Sequence, residues 1–139
     1  MAHMELPARL ENLEKLQDFI SECASTCLSP RRIDQVLLAA EEALVNIFSY
    51  AYPKDRTGDQ PGTVKVSCER TPGNHFQIQF EDRGKPFDML AKDDPDTGLS
   101  LEDRPIGGLG IFFIRKMTDQ VHYCRADNKN ILTFIIHPA

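Results

Sequence analysis

Residues 64–86 read VKVSCERTPGNHFQIQFEDRGKP, and this stretch decides the architecture. Val64, Val66 and Cys68 alternate with Lys65, Ser67 and Glu69; after Pro72-Gly73-Asn74, Phe76, Ile78 and Phe80 alternate with Gln77, Gln79 and Glu81. A period of two sends successive side chains to opposite faces of a strand, so the two runs predict a hairpin closed by the Pro-Gly-Asn turn. Its apolar face needs a second layer to cover it.

The sequence on either side provides that layer. Upstream, Leu10, Leu13, Leu16, Phe19, Ile20, Cys23, Ala24 and Cys27 recur at helical spacing. Ser29-Pro30 supplies an N-cap and a first-turn proline, and Ile33, Val36, Leu37, Ala40, Leu44 and Ile47 form the stripe of a second helix that ends before Pro53. Residues 54–62 are polar and rich in turn formers. Downstream, residues 91–106 carry Asp93-Asp94-Pro95-Asp96, Gly98 and Pro105 and predict a long loop of the kind that serves as a lid. Gly107 to Gly110 opens a short apolar helix through Met117, and Val121–Arg125 and Ile131–His137 predict a last hairpin around Asp127-Asn128-Lys129-Asn130. The expected fold is α/β: a two-layer sandwich with a mostly antiparallel mixed sheet and its helices on one face. One domain spans residues 5–139, and Met1-Ala2-His3 reads as a vector-derived remnant ahead of a native Met4.

Composition narrows the function. The chain has 139 residues, ordinary shares of apolar and charged side chains, and a net charge of −5. A nucleic-acid binder would carry a basic surplus, so direct nucleic-acid binding is not expected. No run reaches the ~20 apolar residues of a membrane span and no signal core is visible, so a soluble cytoplasmic protein is expected. Cys23, Cys27, Cys68 and Cys124 form no C-x-x-C pair and read as small hydrophobes in a reducing compartment rather than as zinc ligands.

Three segments carry chemistry. Glu42 and Asn46 lie one helical turn apart, opposite the stripe of Ile33, Leu37, Ala40 and Leu44, with Leu38 and Val45 flanking. A carboxylate and an amide so placed could hold magnesium through oxygen; they could also be a plain solvated face. Asp82-Arg83-Gly84-Lys85-Pro86 follows a strand directly. It is either a common tight turn or a site where the carboxylate accepts from a flat amino-bearing ring that the glycine lets approach. Gly107-Gly108-Leu109-Gly110 opens a helix, where free N–H groups favour phosphate, although the order is neither Rossmann nor P-loop.

In this order and spacing, the three segments resemble the ATP-binding domain of the GHKL superfamily (gyrase, Hsp90, histidine kinases, MutL), the Bergerat fold, over residues 5–137. Glu42-Ala43-Leu44-Val45-Asn46 is similar to its N box, Asp82-x-Gly84-x-Pro86 to its first glycine box and Gly108-x-Gly110 to its second. The passages Glu-Glu-Ala-Leu-Val-Asn-Ile and Gly-Gly-Leu-Gly-Ile-Phe-Phe-Ile-Arg-Lys-Met-Thr-Asp resemble bacterial anti-sigma regulatory factors with serine kinase activity. That resemblance implies Glu42 as general base and Asn46 as ligand of magnesium. It implies Asp82 as the acceptor of the adenine amino group, Gly84, Pro86, Gly108, Leu109 and Gly110 as the frame of ATP, and Thr133 beside the adenine. The implied partners are a sigma factor, an anti-sigma-factor antagonist, or both, and a homodimer is compatible with it. Where some of these kinases carry a basic residue before the second glycine box, this chain has Ile106, with Arg104 two positions earlier. His75, His122 and His137 lie at strand or turn positions, and no helix offers a phosphorylatable histidine followed by an acid, so a complete sensor histidine kinase is not expected. Two functions stay open: a protein-serine kinase acting on an anti-sigma-factor antagonist, and an ATP-dependent module that sequesters a sigma factor without catalysis.

Overall fold

Ser29 begins the longest element. Its backbone is extended and its hydroxyl accepts from the N–H of Arg32 at 3.2 Å, which relieves one of the free donors at the start of helix α2, Pro30–Tyr50. The computed structural model describes residues 1–53, 62–91 and 108–138. The expected lid segment therefore lies almost wholly outside the described residues, as do Arg104, Ile106 and Gly107.

Before α2 come strand β1, Ala2–Pro7, a 3-10 turn at Leu10–Asn12, and helix α1, Leu13–Ala24. After it come β2, Thr63–Thr71, and β3, His75–Asp82, joined through Gly73 and Asn74 at positive φ of 84° and 62°. A 3-10 turn at Met89–Ala91, helix α3, Gly108–Met117, and strands β4, Gln120–Ala126, and β5, Lys129–Ile136, complete the order. The β4–β5 connection is a two-residue turn with Asp127 and Asn128 both at positive φ, the conformation whose twist matches an antiparallel hairpin.

The sheet runs β1-β2-β3-β5-β4, and every pairing is antiparallel. The expected two-layer α/β sandwich is the fold found, with its sheet antiparallel throughout: the strands succeed one another by hairpins or by connections that return them antiparallel. The N-terminus adds an element not expected from the sequence: Ala2 and His3 pair with Cys68 and Ser67, so β1 forms an edge strand of the sheet.

Alternation decides which face the helices cover. Val64, Val66 and Cys68 of β2, Phe76, Ile78 and Phe80 of β3, and Leu132, Phe134 and Ile136 of β5 are all buried. They pack under Leu16 and Ile20 of α1, Val36, Ala40, Leu44 and Ile47 of α2, and Ile111 and Ile114 of α3. Phe80 and Phe134 meet edge to face at 5.0 Å; burying each such ring is worth roughly 1.5–3 kcal/mol. Among the described residues no helix is long and apolar enough to cross a membrane.

Arg32 ties the start of α2 to the end of α3, donating to Met117 O at 2.9 Å and pairing with Asp119 at 2.5 Å. Burial pushes the Asp119 carboxyl up, but the His137 N–H at 2.7 Å and the Arg32 guanidinium together outweigh it and hold the group below its usual range. The stability this adds is present above the ordinary carboxylate range and is lost as pH falls through the lowered value.

Replacing Ser29 by Ala is expected to destabilise the protein by about 1 kcal/mol, a fall of ~3 °C in Tm by calorimetry.

Candidate functional site

Asp82 is the last residue of β3 and continues the inward row of Phe76, Ile78 and Phe80, so alternation places a carboxylate where a core residue would stand. It is 5% exposed. A buried carboxylate needs donors, and Oδ1 has two: the Gly84 N–H and the Asn130 Nδ2, each at 2.9 Å. Asn130 faces Asp82 in the β3–β5 register and is equally buried. Its Nδ2 also donates to Lys85 O at 2.8 Å, while its Oδ1 accepts from Phe87 N at 3.2 Å and from the Tyr123 hydroxyl at 2.5 Å. One amide therefore clamps both sides of Pro86, which is itself exposed. Sequence reading missed Asn130 because it was grouped with the turn. The signal was there: Asn130, Leu132, Phe134 and Ile136 share the inward phase of β5.

Gly84 has a packing role that the sequence did not announce. A Cβ there would lie 2.1 Å from the carbonyl oxygen of Ala51, just past the end of α2. The neighbouring Lys85 N–H donates to that same carbonyl at 3.0 Å, and Arg125 donates to Gly84 O at 2.8 Å. The glycine is thus demanded by contact with the helix end, whatever ligand approaches. Tyr52 braces the turn from outside, its hydroxyl donating to Thr63 O at 2.6 Å and accepting from Arg83 N at 2.9 Å.

Between this turn and α2 lies a narrow, partly open cleft with about 10 Å³ of free space, walled by Ile47, Phe80, Phe87, Met89, Tyr123 and Leu132, with Asp82 and Asn130 in its lining. Apolar walls with one fixed carboxylate suit a flat ring that bears a donor. A second hollow, on the other sheet face, is lined by Glu5, Lys65, Glu81 and Lys129. Two of its carboxylates have partners: Lys129 pairs with Glu81 at 3.9 Å, and the Thr63 hydroxyl donates to Glu5 at 2.9 Å.

One turn of helix separates Glu42 from Asn46, and both face the α3 side rather than open solvent. Asn46 is 7% exposed, and its amide makes no hydrogen bond to another described residue. Its side-chain oxygen is therefore free to take a cation or a cation's water. The Glu42 carboxylate meets the first turn of α3: a Cβ at Gly110 would lie 2.7 Å from its Oε2. Burial, and then the neighbouring charge of Glu41, push its carboxyl above the ordinary carboxylate range. Gly108 and Leu109 open α3, whose leading N–H groups have no partner inside the helix. The donor set fits magnesium: one amide oxygen and one carboxylate, leaving most positions to water and phosphate.

The structure therefore gathers Glu42, Asn46 and Gly110 at one end and Asp82, Gly84 and Pro86 at the other, all along α2. Thr133 is not among them. It lies on the opposite face of β5, where Gln79 approaches its hydroxyl at 3.4 Å, because the inward phase belongs to Leu132 and Phe134. Asn130, not Thr133, is the β5 residue that stands beside Asp82.

The family model described as a histidine kinase-like ATPase domain matches residues 6–136. The serine/threonine-protein kinase BtrW of Bordetella bronchiseptica is 30% identical over 102 residues, covering 73% of this chain and 68% of its own. The serine-protein kinase RsbW of Oceanobacillus iheyensis is 27% identical over 124 residues, covering 85% and 75%. Among solved structures, the RsbU and RsbW domains of Rv1364c from Mycobacterium tuberculosis superpose with a TM-score of 0.65 at 11% identity, a likeness of fold. The match takes in 99% of this chain and 32% of that one.

The two glycines should respond differently to alanine. Gly84→Ala meets backbone and is expected to destabilise the fold by ~3 kcal/mol or more. Gly110→Ala meets only the end of a flexible side chain, so Glu42 turns aside at a cost of about 1 kcal/mol or less. Urea unfolding of both variants checks the difference.

Proposed function

The chain is a member of the histidine kinase-like ATPase domain family, and we propose that it binds ATP with magnesium and transfers the terminal phosphoryl group to a serine of an anti-sigma-factor antagonist. The observation that carries this reading is the buried Asp82, fixed by Asn130 at an apolar cleft beside the end of α2, the helix that also carries Glu42 and Asn46. Asp82 accepts from the adenine amino group while Phe80, Phe87 and Met89 wall the ring. Gly108, Leu109 and Gly110 present the α3 N–H groups to the phosphates. Magnesium, when bound, would neutralise phosphate charge, with Asn46 as the residue that would hold it or its water. Glu42 takes the proton of the attacking serine hydroxyl as the new O–P bond forms and the bond to the ADP oxygen breaks. The names of the relatives support the kinase assignment, and the antagonist as substrate is our inference from them.

The second reading, a module that captures a sigma factor in an ATP-dependent way without transfer, is favoured by two apolar side chains exposed on the helical layer, Leu38 and Phe112. Glu42→Gln separates the two. For a kinase, ATP affinity stays within a few-fold while transfer falls about 10²–10⁴-fold. For a capture module the variant behaves as the parent does, and the parent transfers nothing to any candidate antagonist.

Asp82→Asn can keep both bonds to Oδ1 but turns the other oxygen into a donor. ATP affinity should fall roughly ten- to a hundred-fold with Tm little changed, read by calorimetry. Unchanged affinity would remove Asp82 from the adenine site.

The raised carboxyl of Glu42 also sets the sign of the pH dependence. The base works only when ionised, so transfer falls as pH drops, starting above the ordinary carboxylate range of about 4.3. A pH–rate profile of the parent should show this acid limb, and Glu42→Gln should lack it.

A further inference from the structure

Helix α1 packs against strand β2, and there Cys23 and Cys68 line one groove as neighbours, each thiol acting on the other's ionisation. Cys68 is 3% exposed, whereas Cys23 is half-buried. An open groove reaches the pair, lined by Cys23, Cys68, Thr26, Arg70 and Phe76, with Arg70 donating to Thr26 O across it at 2.6 Å. We propose that Cys23 and Cys68 form a reversible intramolecular disulfide when the protein meets a peroxide, with Cys23 as the attacking sulfur and Cys68 as the resolving one.

Exposure and hydrogen bonding assign the roles. Burial pushes both thiols up. The Cys68 thiol acts as the donor, which partly offsets the rise at Cys23 and adds to that at Cys68, while the charge of Glu22 raises Cys23 further. Cys23 is therefore the more readily ionised of the two, and it is the one that solvent meets. Its thiolate attacks one peroxide oxygen, the O–O bond breaks, and hydroxide leaves to become water, giving Cys23 sulfenic acid. The Cys68 sulfur then attacks Cys23, the S–S bond forms, the S–O bond breaks, and the departing hydroxide takes the Cys68 proton as a second water. Two thiols and one hydrogen peroxide yield one disulfide and two waters. Because both thiols are held protonated, the first step is slow near neutrality and speeds as pH rises. The link would pin α1 to β2 across a loop that contains all of α2.

The test treats the reduced full-length chain with hydrogen peroxide at pH 7 and pH 9, blocks the remaining thiols and maps peptides without reduction. The expected product has lost two hydrogen atoms, joins the tryptic peptide ending at Arg31 to the one ending at Arg70, forms faster at pH 9 and reverts with dithiothreitol. Its Tm should rise on the order of 10 °C. Cys27→Ser and Cys124→Ser should keep the link, Cys23→Ser should abolish it, and Cys68→Ala should accumulate a dimedone-reactive sulfenic acid at Cys23. Should Cys68→Ala fold poorly, the parent map and Cys27→Ser decide alone. A link through Cys27 or Cys124, or oxidation of Cys23 to sulfinic acid with no link formed, would overturn the proposal.

Discussion

The hydrogen bond between Asn130 and Asp82 ties together most of what surrounds it. It spans the β3–β5 register at the point where the sheet's inward face passes from phenylalanine and leucine to polar side chains. A carboxylate this deep needs donors, and an amide this deep needs both donor and acceptor partners. Each supplies the other, and Asn130 uses its remaining capacity on Lys85 O, Phe87 N and the Tyr123 hydroxyl. The loop after β3, the middle of β4 and the floor of the cleft are thereby one bonded unit. Removing the amide would strand three groups at once, and this is why a residue that need touch no ligand governs the shape of the ligand's place.

Helix α2 supplies the other constraint. Its C-terminal end accepts the Lys85 N–H and leaves room only for glycine at position 84, while its middle carries Glu42 and Asn46 toward α3. Both ends of the proposed nucleotide site are thus referred to one rigid rod. The rod's other flank, with Val36, Ala40, Leu44 and Ile47, is buried in the core. Burial that stabilises the fold also desolvates Glu42 and raises its carboxyl, so the stability of the domain and the basicity of the proposed catalytic group have a common origin.

Period-two and helical spacing carried the fold a long way. The central hairpin, the capped α2, the short α3 and the last hairpin were all legible, and so were the three segments that converge, because each depends on local pattern. What escaped did so for identifiable reasons. The pairing of Ala2–Pro7 along β2 lies between strands far apart in sequence, and a six-residue edge strand has too few inward side chains to announce itself. Asn130 looked like turn chemistry because Asp127, Asn128 and Lys129 precede it. Thr133 was placed by likeness, although the phase of Leu132, Phe134 and Ile136 already sent it to the other face. The contact of Gly84 with Ala51 joins residues on separate elements, and no periodicity encodes it.

The crowding at Gly84 bears on how this lineage changes over time. Selection on folding alone would keep that glycine, since any side chain collides with the carbonyl of Ala51. A descendant that had abandoned nucleotides would retain the glycine and still look, on that letter, like its working ancestors. Asn46 is held by no such contact: its amide makes no hydrogen bond to another described residue, so mutation to an apolar residue would be free to spread once binding was lost. The two positions would then part company, and the pattern of a silent glycine beside a vanished asparagine would date the loss of the ligand.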